Sequence, residues 1–175
     1  KNQLVASGRR NCWQCSGISI HNGTSWSNPG SLDYYQDQAA TLAVMGDDLY
    51  LGGSFASVSG VVVNGLARWN GTSWSGLGTG MAPSCGSCAR SVNALKVSAS
   101  GTELYAGGNF IAAGSVTTNG LAKWNGTAWS APISGLTGAQ YYLAVTALEL
   151  SASGNELFVG GQNIEGSVSG LKAKN

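Results

Sequence analysis

The stretch that decides the fold runs from Asp48 to Ser75. It reads Asp48-Leu49-Tyr50-Leu51-Gly52-Gly53, a loop, then Leu66-Ala67-Arg68-Trp69-Asn70-Gly71-Thr72-Ser73-Trp74-Ser75. Nearly the same residues return as Leu104-Tyr105-Ala106-Gly107-Gly108 and Leu121-Ala122-Lys123-Trp124-Asn125-Gly126-Thr127-Ala128-Trp129-Ser130. Leu49 and Leu51 alternate with Tyr50, the period of a strand with unlike faces. Asn70-Gly71 predicts a two-residue hairpin turn between Leu66–Trp69 and Thr72–Ser75, because such a turn needs positive φ at both central positions. Asn22-Gly23 and Asn125-Gly126 read the same way. Upstream of each Leu-Tyr strand lies another apolar run: Leu42-Ala43-Val44, Ala94-Leu95-Lys96-Val97 and Ala147-Leu148-Glu149-Leu150. Polar turns join these runs to the strands that follow.

One unit thus holds four short strands, and its glycine pairs recur at a spacing of about 54 residues, in the range of propeller blades. The expected fold is all-β: a β-propeller of four-stranded antiparallel blades, about three and a half of them, in one domain over 1–175. The copies fall at approximately 1–40, 41–91, 92–142 and 143–175. In the first copy His21 stands where Trp69 stands, and in the fourth Lys174 does. No apolar first strand precedes Leu4, and the fourth copy lacks the Gly-Thr-x-Trp strand. The expectation is therefore a piece of a longer propeller or a ring completed by other chains, since open strand edges invite pairing. A strained four-bladed ring is the third arrangement.

Composition agrees. Of 175 residues 27 are glycine and 10% are charged, as suits tight turns in an all-β chain. The net charge of +1 gives no electrostatic case for nucleic acid. No apolar run approaches membrane-spanning length, so membrane insertion is not expected. Lys1 opens no leader pattern, so any export signal would already have been removed. No stretch carries a sustained helical period.

The pattern Trp-Asn-Gly-Thr-x-Trp-Ser, then Val-x-Ala-Leu, then Leu-Tyr-x-Gly-Gly-x-Phe resembles a β-propeller repeat of large secreted or surface-anchored bacterial proteins. That repeat is loosely similar to kelch and galactose-oxidase-type propellers. The match is good over residues 41–130; residues 1–20 and 162–175 depart from it. The resemblance implies a propeller fold, an extracellular or cell-surface setting and a binding platform rather than an enzyme. A galactose-oxidase-type copper centre needs several histidines, and His21 is the only one here. No cofactor is expected.

Four cysteines form two C-x-x-C motifs, Cys12-Trp13-Gln14-Cys15 and Cys85-Gly86-Ser87-Cys88. Local disulfides Cys12–Cys15 and Cys85–Cys88, cross-bridges, a four-sulfur zinc site and free thiols all remain open. Asn22, Asn70 and Asn125 begin N-x-Thr sequons, and are also what a hairpin turn requires. The recurrent Trp26, Trp74 and Trp129, with Trp69 and Trp124, are expected to pack between units. Trp13, Tyr34, Tyr35, Tyr141 and Tyr142 lie outside the repeat, in loops on one predicted face. They are the candidate ligand-binding residues. The acidic residues show no calcium-loop spacing and no reason to meet as an acid/base pair. Gly76-Leu77-Gly78-Thr79-Gly80 lacks the following helix of a phosphate loop.

The expected function is a binding or scaffolding module that recognises a protein or glycan through its loop face. The alternative is a structural subunit, a homo-oligomer assembling through open edges into a ring or filament. An enzyme with its site outside this segment comes third.

Overall fold

A computed structural model describes residues 4–9, 16–21, 23–34, 36–83, 90–132, 136 and 143–163. The chain is all-β, with no helix and 58% strand. In chain order, the first copy forms β1 (Leu4–Arg9), β2 (Ser16–His21) and β3 (Trp26–Leu32). The second forms β4 (Gln38–Met45), β5 (Asp48–Ser54), β6 (Ser57–Val58), β7 (Val61–Val62), β8 (Leu66–Trp69) and β9 (Trp74–Gly76). After β10 (Met81–Ala82) the third copy forms β11 (Ser91–Val97), β12 (Leu104–Asn109), β13 (Ala112–Ala113), β14 (Val116–Thr117), β15 (Leu121–Trp124) and β16 (Trp129–Ser130). The fourth contributes β17 (Ala144–Leu150) and β18 (Leu157–Gln162).

Two four-stranded antiparallel sheets carry the repeat: β4-β5-β8-β9 and β11-β12-β15-β16. Each first strand has a bulge against its partner, between Ala39 and Thr41, Val92 and Ala94, and Val145 and Ala147. The Asn93 amide, at such a bulge, donates to the Val145 carbonyl at 3.1 Å. Leu95 N–H donates to Thr41 Oγ1 at 3.2 Å. Successive first strands are thus tied edge to edge across the copies.

The expected two-residue turn at Asn70-Gly71 does not form. Trp69 pairs with Trp74 and Trp124 with Trp129, so residues 70–73 and 125–128 are the loops. Gly71 and Gly126 take positive φ, whereas Asn70 and Asn125 do not. The asparagine side chain explains the wider loop. Asn70 Oδ1 accepts from the N–H groups of Thr72 and Ser73, both at 2.9 Å. Asn125 Oδ1 accepts from Thr127 N–H at 3.0 Å and Ala128 N–H at 2.8 Å. An Asx turn of this kind competes with the tight hairpin. The doubly positive Asn-Gly conformation occurs elsewhere, at Asn64-Gly65 and Asn119-Gly120, just before β8 and β15.

The inter-strand loops expected at Ser54–Asn64 and in the third copy are hairpins, β6-β7 and β13-β14. Each pairs with the exit of the preceding copy: β6 with β3, and β13 with β10. This stitching leaves the apolar cores between sheets rather than within one. Ile18, Ile20 and Leu32 of the first copy meet Leu49, Leu51, Phe55, Val58 and Trp74 of the second. Tyr50, Leu66 and Met81 meet Val92, Leu95, Phe110 and Trp129. Tyr105 and Leu121 meet Val145, Leu148 and Leu157. Close approach across these seams needs glycine. A Cβ at Gly52 would lie 2.7 Å from Val92 Cγ1, and one at Gly107 would overlap Val145 Cγ1.

Candidate functional site

The connection from the first copy to the second carries the described loop aromatic, Tyr34. It is held by carboxylates at both ends. Asp33 accepts from Gly60 N–H at 3.0 and 3.3 Å, tying the turn to the β6-β7 hairpin. Asp37 Oδ2 accepts from Tyr34 N–H at 3.2 Å, while Asp37 N–H donates to the Tyr34 carbonyl at 3.1 Å. The reciprocal pair closes the turn and leaves the Tyr34 side chain 59% exposed. Partial burial raises the Asp37 pKa above the usual carboxylate value; the Tyr34 N–H opposes this, Asp33 adds to it, and Arg90 opposes it. Arg90 precedes β11, and its Nε is buried without a hydrogen-bond partner.

Of the other loop candidates, Trp13, Tyr35, Tyr141 and Tyr142 lie outside the described residues, as do Cys12, Cys15, Cys85, Cys88 and Asn22. Asn70 and Asn125 are exposed, with their amide oxygens engaged in the loops they shape. Among the described residues no group of three or more His, Cys, Asp or Glu is placed to hold a metal. Asp48 pairs with Arg68 at 2.7 Å, and Glu103 pairs with Lys123 at 2.8 Å in the same register. Glu149 is held below its usual pKa, first by the Lys96 ammonium beside it. These pairs brace neighbouring strands or sheets, and the most exposed of them, Lys96–Glu149, contributes little stability.

The tryptophans divide into two groups. Trp74 and Trp129 are buried in the seams, and each indole N–H donates at 3.0 Å to a carbonyl of the preceding copy, Pro29 and Leu77 respectively. Each also tilts against its register partner, with ring centroids 5.2 Å apart for Trp69–Trp74 and 5.1 Å for Trp124–Trp129. Trp26 keeps the same contact, with His21 at 5.0 Å, but is 53% exposed. Trp26 thus departs from the expected packing between units: among the described residues no second sheet covers it.

The seam that holds Trp129 opens into a groove of about 350 Å³ beside Trp124, Gly78, Gly114 and Ser115. The equivalent place beside Trp74 is lined by Gly30 and Ser59. There Ser59, at φ 49°, turns its hydroxyl toward Gly30 and accepts from Ser31 N–H at 3.2 Å. Gly114 has replaced that serine at φ 59°. The signal was present in the alignment of the copies, where Gly114 falls opposite Ser59, but only the hairpin geometry gives it meaning.

No known protein family, curated protein or solved structure matches this chain. No helix among the described residues is long and apolar enough to cross a membrane.

Proposed function

We propose that the stacked four-stranded sheets are blades of a β-propeller, and that the chain is a non-catalytic, extracellular binding module. Its ligand is a protein or glycan met through the connection loops. The observation that carries this reading is Tyr34, an exposed aromatic on a turn locked by Asp33 and Asp37. A rigid aromatic loses little entropy on binding, which is why such residues dominate recognition surfaces. A glycan array and a protein pull-down with the wild type, Tyr34→Ala and Trp13→Ala test it. Loss of binding by about tenfold in Tyr34→Ala is expected, the size of one aromatic contact. Absence of any ligand, or binding indifferent to both substitutions, sinks the reading.

A second reading, assembly through an open sheet face, is favoured by Phe158. It occupies the position of Tyr50 and Tyr105, which are buried by the next copy, yet it is 54% exposed. Light scattering over a range of concentrations tests this; a concentration-independent monomer removes it.

A further inference from the structure

Four Asn-Gly pairs lie among the described residues, and they are of two kinds. Asn64-Gly65 and Asn119-Gly120 lead into β8 and β15, and both glycines are buried. There Gly65 N–H donates to the Phe55 carbonyl at 2.8 Å, and Asn64 Nδ2 donates to the Thr79 carbonyl at 2.9 Å. Asn70-Gly71 and Asn125-Gly126 sit on the exposed loops that join β8 to β9 and β15 to β16. Their glycine N–H groups and their asparagine Nδ2 groups have no hydrogen-bond partner among the described residues. A Cβ at Gly71 or Gly126 would meet nothing within 4 Å, so neither glycine is crowded. The amide oxygens are held instead. Asn70 Oδ1 accepts from Thr72 N–H, Thr72 Oγ1 and Ser73 N–H, each at 2.9 Å. Asn125 Oδ1 accepts from Thr127 N–H and Thr127 Oγ1, both at 3.0 Å, and from Ala128 N–H at 2.8 Å. Several donors at this distance from one carbonyl oxygen are the arrangement that stabilises an oxyanion developing there.

We infer that Asn70 and Asn125 are self-modifying sites, at which the following glycine nitrogen closes on the side chain to give a cyclic imide that water opens to aspartate or isoaspartate. The nitrogen of Gly71 attacks Asn70 Cγ and gives its proton to water. The C=O π pair moves onto Oδ1, where three donors already point. The intermediate collapses, the Cγ–Nδ2 bond breaks, and Nδ2 leaves as ammonia with the proton that water took. A water molecule then adds to one imide carbonyl and breaks its bond to the glycine nitrogen, which regains a proton. Opening at the main-chain carbonyl gives isoaspartate, and opening at Cγ gives aspartate. Water is the one co-reactant. At Asn64 both ends of the step are occupied, the nucleophile's N–H by Phe55 and the leaving group by Thr79. At Asn119 the glycine is buried away from the water that would take its proton. Each conversion places a carboxylate on the loop between Trp69 and Trp74, or between Trp124 and Trp129, and removes the asparagine of the N-x-Thr sequon. Neither loop belongs to the Tyr34 turn, so this chemistry stands without the ligand proposed there.

The test is ageing of the full chain in mildly alkaline buffer, after production in a host that adds no N-glycan. Peptide mapping by mass spectrometry follows each Asn-Gly pair, and an isoaspartyl methyltransferase measures the isoaspartate formed. Asn70 and Asn125 are expected to convert faster than Asn64 and Asn119 by about tenfold or more, the scale of an oxyanion-donor effect reduced by solvent. Thr72→Val removes the hydroxyl donor and keeps both backbone donors. It should slow Asn70 several-fold and leave Asn125 at the wild-type rate, and Thr127→Val should do the converse. Thr72→Ser returns the hydroxyl and should return the rate. Each variant is first shown to melt like the wild type. Equal conversion at all four pairs, or none at Asn70 and Asn125, overturns the proposal. So does Thr72→Val that converts as fast as the wild type or faster, for then the bonds to Oδ1 do not activate the side chain.

Discussion

Trp129 and Trp26 occupy one position of one repeat, and their surroundings differ completely. Trp129 lies in a seam, 8% exposed, with its indole hydrogen-bonded to Leu77 and its ring against Trp124. Trp26 lies on an open face, 53% exposed, beside a histidine. The strand, the four-residue loop and the ring-on-ring contact are common to both. What differs is whether another sheet arrives. The same side chain therefore fills a seam in one copy and, among the described residues, is left half in solvent in the other.

The largest expected contrast is in truncation. Trp129→Ala should cost about 3–5 kcal/mol, from lost burial and the cavity left between sheets. Trp26→Ala should cost about 1 kcal/mol or less, because most of its area is already in water. Urea denaturation of both variants decides it, and equal losses would break the comparison between seam and open face.

Glycine provides a second contrast along the chain. Gly107 touches Val145 of the next copy, so Gly107→Ala should cost about 1–3 kcal/mol through overpacking. Gly160 holds the same place in the fourth copy, and a Cβ there would meet only Ala147 Cβ at 3.6 Å. Gly160→Ala should stay within about 0.5 kcal/mol. A large loss at Gly160 in thermal melts would show that its face is covered in solution.

The smallest contrast is between the two seams themselves. Val63 is buried in one, and the corresponding residue of the other is Thr118, 2% exposed with an unpartnered Oγ1. Thr118→Val should stabilise by about 1 kcal/mol, the penalty of leaving a buried hydroxyl unmade. A loss of stability instead would mean that the hydroxyl has a partner, such as an ordered water in the neighbouring seam space.

Much of the local structure was legible from the repeat. The apolar runs at Leu42, Ala94 and Ala147, the Leu-Tyr strands and the Trp-bearing strands all form where the alternation put them. The turn chemistry was legible only in part. Asn-Gly marked the right loops, yet a side-chain amide oxygen can cap its own backbone, and at Asn70 and Asn125 that bond outweighs the tight turn. The hairpins at Ser57–Val62 and Ala112–Thr117 were read as loops because strands of two residues carry no periodicity to detect. Of the five loop aromatics singled out, Tyr34 is found exposed, and the other four lie outside the described residues. The sequence shows His21 in place of tryptophan as an isolated change; only the register brings it beside Trp26 on one face, with Ser19 and Asn28 bonded next to them.

The sequence by itself determined the strand order, the repeat and which face of each strand is apolar, since these follow from alternation and glycine placement along neighbouring residues. Only the tertiary structure decided which copies of an identical motif are buried. Burial depends on what stands across the seam, a neighbour about fifty residues away in the chain, on the scale of a propeller repeat. Trp26 and Trp129 are written alike; what separates them among the described residues is the sheet that packs over Trp129.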